Sequence, residues 1–98
     1  MDEAQTRSHV DEHAKAVVRG DMDAVTADFS EDLRPQVPQI AQALPLPVTA
    51  ANVLSLDVGD SESVATIRYS GDSGAVTIFS RWQDEGGRPV IVTAEPTS

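Results

Sequence analysis

The chain is expected to fold as an α+β domain with its helices first and a curved four-stranded antiparallel sheet after them. Three observations predict this. Apolar residues recur at helical spacing as far as Leu44, prolines at 35, 38, 45 and 47 break that pattern, and from Val48 onward the period changes to two. β-Branched residues then gather into four runs separated by short turn-forming stretches.

From Asp2 to Arg19 no residue breaks a helix, and Val10, Ala14, Val17 and Val18 recur at i, i+4, i+7 and i+8. Acidic Asp2 and Glu3 at its start and basic Lys15 and Arg19 near its end suit the helix dipole. Gly20 stands where a left-handed residue closes a helix. Asp21 offers a side-chain oxygen to the first amides of a second helix over Met22 to Phe29, so Gly20-Asp21 makes a tight corner between two helices. A third helix is expected to begin near Pro38, with Val37, Ile40, Ala41 and Leu44 on one face, and to stop at Pro45 and Pro47.

The strands are expected near Ala50 to Val58, Ser63 to Ser70, Ala75 to Gln83 and Pro89 to Ala94. The glycine-bearing polar segments between them are hairpin loops, so the sheet should be a meander. In the second strand Ala65, Ile67 and Tyr69 share a face opposite Thr66 and Arg68; in the third, Val76, Ile78 and Trp82 oppose Phe79. Apolar residues on both faces leave one of them without a helical cover, and a homodimer packed sheet to sheet is the expected remedy.

Ninety-eight residues fit one domain, residues 1–98, with a core small enough that self-association would help it. A net charge of −9 repels nucleic acid backbones and anionic membrane surfaces, so neither is expected as a partner. Without cysteine there is no disulfide framework, thiolate nucleophile or zinc-thiolate site. The acidic start Met1-Asp2-Glu3-Ala4 is not followed by an apolar stretch, which reads as neither secretory signal nor membrane span and leaves a cytoplasmic location as the expectation.

The segment His13-Ala14-Lys15-Ala16-Val17-Val18-Arg19-Gly20-Asp21-Met22-Asp23-Ala24-Val25, followed by Asp28-Phe29-Ser30-Glu31-Asp32-Leu33, resembles the nuclear transport factor 2-like superfamily, the cystatin-like α+β cone. The resemblance implies a cone of helices on a curved sheet, in a short variant. It implies no single reaction, because the superfamily includes ketosteroid isomerases, dehydratases, polyketide cyclases and noncatalytic modules.

His13 is the candidate general base, with Asp28 or Asp32 orienting it, because a carboxylate on one ring nitrogen sets the tautomer. Tyr69 is the candidate electrophilic donor, in the manner that the resemblance to the isomerases implies. His9 and His13 stand at i, i+4, half of a zinc pattern, but no third ligand is evident and neither metal nor cofactor is expected. The leading expectation is a noncatalytic homodimer holding a small apolar ligand between helices and sheet, in a pocket lined by Val17, Phe29, Ile67, Ile78 and Trp82. The alternatives are an acid–base isomerase, dehydratase or cyclase using His13 or an aspartate with Tyr69, and an adaptor that binds proteins through the sheet face.

Overall fold

The structure, a computed structural model, describes residues 1–97. It consists of α1 (Glu3–Arg19), α2 (Met22–Ala27), a 3-10 turn (Arg34–Gln36), α3 (Val37–Gln42), β1 (Val48–Val58), β2 (Glu62–Gly71), β3 (Gly74–Glu85) and β4 (Arg88–Thr97). The strands form one antiparallel sheet in the order β1-β2-β3-β4, a meander with the helices on one face.

Both ends of α1 are closed chemically. Asp2 accepts a hydrogen bond from the Gln5 amide at 2.7 Å, and Gly20 takes the left-handed conformation, φ 74°, that lets its N–H reach the carbonyls of Ala16 and Val17. The buried face runs through Thr6, Val10, His13, Ala14 and Val17, while Val18 stands at its margin, 36% exposed. The helix packs over β1 and reaches β2.

Asp21 caps α2 through the Ala24 amide, but α2 ends at Ala27 rather than at Phe29. The reason is the sheet. β4 is an edge strand with free backbone groups, and Asp28 to Ser30 leave the helix to meet them. The Ile91 amide donates to the Asp28 carbonyl at 2.7 Å and the Ser30 amide to the Ile91 carbonyl at 2.8 Å, a parallel bridge centred on Phe29. Prolines at 35 and 38 then permit only a 3-10 turn and the six-residue α3, each proline sitting in a first turn where its missing N–H costs nothing.

The connection from α3 to β1 passes so close to Gly71 that a Cβ there would lie 2.2 Å from the Pro45 carbonyl oxygen and 2.7 Å from that of Pro47. Only a glycine admits that approach.

β1 ends at Val58 as expected, and the other strand ends lie one to three residues beyond the expected ones; at the last two hairpins Gly71 pairs with Gly74, and Asp84 and Glu85 with Pro89 and Arg88, which leaves two-residue turns. Ala65, Ile67, Tyr69, Ile78, Ser80, Trp82 and Ile91 are buried on the inner face. Thr66, Arg68, Phe79 and Arg81 lie on the outer face, where Phe79 is half-buried. Among the described residues no helix is long and apolar enough to cross a membrane.

Candidate functional site

α1 turns His13 inward, and the chain leaving α2 brings Asp28 up to it: Nδ1 of His13 lies 2.9 Å from Oδ2 of Asp28, with both residues buried. The other carboxylate oxygen accepts from Nη2 of Arg88, at the start of β4, at 3.0 Å. Asp28 therefore ties three elements together. With a proton on Nδ1 donated to Asp28, the neutral imidazole keeps its lone pair on Nε2. The ring is fixed edge-on against Trp82, centroids 5.5 Å apart, and against Phe29 at 6.0 Å.

Beyond His13 lies a partly open hollow of about 60 Å³ between the inner sheet face and α2 and α3. Val17, Phe29, Ile67 and Ile78 line it, as do Tyr69 and Ser80. Trp82 does not; it is fully buried behind the histidine, and its indole N–H donates to Ser80 Oγ at 3.0 Å while that hydroxyl donates to the Ala65 carbonyl at 3.3 Å. Ile40 and Leu44, from the apolar face expected of the third helix, close the hollow from the proline-rich side together with Leu46, which lies outside that stripe.

Tyr69 is 3% exposed. Burial first, and the negative charge of Asp28 second, hold its phenol well above the ordinary tyrosine range, so the hydroxyl remains a donor at neutral pH. Asp32 is exposed and is not the partner of His13; that partner is Asp28. His9 is half-buried, and among the described residues no three His, Cys, Asp or Glu side chains gather in a way that suits a metal ion. Arg88 could not have been found by inspection, since sixty residues separate it from Asp28 and only the register of the last hairpin brings it there.

The cavity is small. An engineered cavity of about 150 Å³ accepts benzene, whereas a water needs about 10–15 Å³. A ring-sized guest therefore requires Ile40, Leu44 and Leu46 to move outward, and Leu46 is already 56% exposed.

Neither a family model nor a curated protein sequence matches the chain. Among solved structures it is similar to RPA3114, a SEC-C motif-containing protein from Rhodopseudomonas palustris, with 15% identity over 86% of this chain and 72% of that one and a TM-score of 0.63. At that identity the likeness is one of fold alone.

This corrects the resemblance to the nuclear transport factor 2-like superfamily. The residues that suggested it centre on Gly20-Asp21, and the structure gives each a local reason: Gly20 closes α1 and Asp21 caps α2. Such a corner arises wherever two helices meet abruptly, so it marks capping chemistry and not descent.

Proposed function

We propose that the domain binds a small, uncharged, largely apolar molecule in the hollow between helices and sheet, with one polar group of that molecule facing His13 and Tyr69. The observation that carries this reading is the placement of His13, held by a buried hydrogen bond to Asp28 behind it, and of buried Tyr69 on the wall of a largely apolar cavity. The apolar wall disfavours a carboxylate or phosphate guest, as burial first and the charge of Asp28 second resist ionisation of Tyr69. A neutral carbonyl or hydroxyl accepts from Tyr69 or donates to His13 without that penalty.

A second reading, proton transfer of the isomerase, dehydratase or cyclase kind, draws on one specific feature: Nε2 of His13 has no hydrogen-bond partner among the described residues, while Asp28 fixes the ring by its other nitrogen.

A thermal-shift and NMR screen of small ketones, alcohols and the matching carboxylates separates these possibilities. Binding predicts that neutral members raise the melting temperature and shift the Ile67 and Ile78 methyl signals, that the carboxylates do neither, and that Tyr69→Phe weakens the effect. A flat response to every neutral compound, or an equal response to the acids, sinks the binding reading. If bound ketones also exchange their α-protons with deuterated solvent, and His13→Gln stops the exchange without abolishing binding, the domain is a catalyst.

A further inference from the structure

The two edges of the sheet are treated differently. β4 is guarded: Pro89 and Pro96 remove amides, Arg88 and Glu95 add charge, and Asp28 to Ser30 occupy part of its free side. β1 has neither proline nor any charged residue from Val48 to Leu56. Bulges at Thr49 and Leu54 bend it, and between them the regular stretch Ala50–Val53 is left open.

That stretch forms one wall of an open groove of about 630 Å³, and the flank of α1 forms the other, through Asp11, Lys15, Val18 and Arg19. Small residues, Ala14, Ala50 and Ala51, keep its lining shallow in side chains. Along α1 the charge runs from acidic at Asp11 to basic at Lys15 and Arg19. The intrachain partners of those cations, Glu12 at 3.6 Å and Asp21 at 3.7 Å, form exposed pairs that hold them weakly.

We infer that this groove is an interface between two copies of the chain, β1 pairing antiparallel with β1 and α1 lying antiparallel to α1 about a twofold axis. An antiparallel pair of identical strands closes on itself and leaves no further edge to extend. The same axis sets Asp11 of each copy beside Arg19 of the other and brings the two Lys15 side chains together at the centre, each beside its own Glu12, so the two ends of the α1 groove are complementary to each other. It also covers Val18, which the fold of a single chain leaves 36% exposed. The contact is distinct from the outer sheet face and does not depend on what the hollow binds.

Sedimentation equilibrium up to about 1 mM, with far-ultraviolet circular dichroism on each variant, tests it. A dimer is expected. Asp11→Arg and Arg19→Asp should each weaken it by about tenfold or more, and the doubly reversed chain should regain most of the loss, since its gradient is again self-complementary. Ala50→Lys, an added charge on an exposed edge position, should dissociate it while leaving the spectrum unchanged. A chain that is monomeric throughout overturns the inference. So does a dimer indifferent to these changes; if Phe79→Lys dissolves that dimer, the contact belongs to the outer sheet face.

Discussion

The inner face of the sheet has two ends, and they are built to different standards. At one end Thr6 and Val10 of α1 and Ser63, Ala65 and Trp82 of the sheet are sealed from solvent, none of them more than 1% exposed. At the other, Tyr69 and Ile78 face α3 and the segment after it, where Ile40 and Leu44 are only half-buried and a hollow persists. A seventeen-residue helix covers the first end; six-residue and three-residue pieces cover the second. An unbroken helical stripe interdigitates with a sheet over its whole length, whereas elements cut short by prolines present too few side chains to fill the space beneath them. His13 stands at the boundary, its ring against Trp82 on the filled side and its residue on the wall of the hollow.

Truncation at the two ends breaks or sharpens that contrast most directly. Trp82→Ala should cost about 3–5 kcal/mol, or prevent folding, because it opens a cavity the size of an indole in the filled end and removes the donor to Ser80 Oγ, which keeps only its bond to the Ala65 carbonyl. Ile40→Ala should cost about 1 kcal/mol, as its side chain already faces unfilled space. Urea unfolding of the two variants measures the difference, and equal losses would mean that the hollow is as tightly packed as the rest. The next largest effect belongs to the boundary itself. Asp28→Ala removes the acceptor shared by His13 and Arg88 and should cost about 2–3 kcal/mol. Asp28→Asn, which still offers His13 a carbonyl oxygen, should lose less; if both cost the same, the Arg88 link and not the histidine pairing is what matters.

The elements were legible in the sequence, and so was most of the lining of the hollow, Val17, Phe29, Ile67 and Ile78; the place of Trp82 and the ends of the elements were not. Val10, Ala14 and Val17 announce a buried stripe by spacing alone, and the shift to alternation at Val48 gives the strands and their meander. Spacing predicts a second helix two residues longer than the one found, because Phe29 continues the stripe of Met22 and Val25; backbone pairing with Ile91 takes it instead, and such pairing leaves no mark in a local pattern. β4 likewise passes Glu95 and Pro96, since an edge strand tolerates a residue without an amide. His13, Asp28 and Tyr69 stand out as chemistry-bearing types near apolar stripes. That His13 meets Asp28 and not Asp32 depends on where α2 stops, and that Trp82 lies behind the ring and not in the hollow depends on which residues fill the other end.

The last contrast concerns how dry the hollow is. Tyr69 is the only tyrosine, and its phenol is held above the ordinary value near 10 by burial and by Asp28. Below about pH 10 the group is protonated in both folded and unfolded chains, so it gives stability no pH dependence there. Above that pH the unfolded chain releases the proton while the folded chain retains it. The unfolded state then binds fewer protons, and stability falls as pH rises, by about 1.4 kcal/mol per pH unit for this one group. Tyr69→Phe lacks the proton and should lack this slope, so urea unfolding of both proteins between about pH 9 and 12 isolates it. Parallel curves would mean that the phenol ionises freely in the native state, which requires water and counterions to reach it. A guest bound there would then compete with solvent, and an apolar ligand would lose the main reason to prefer the site.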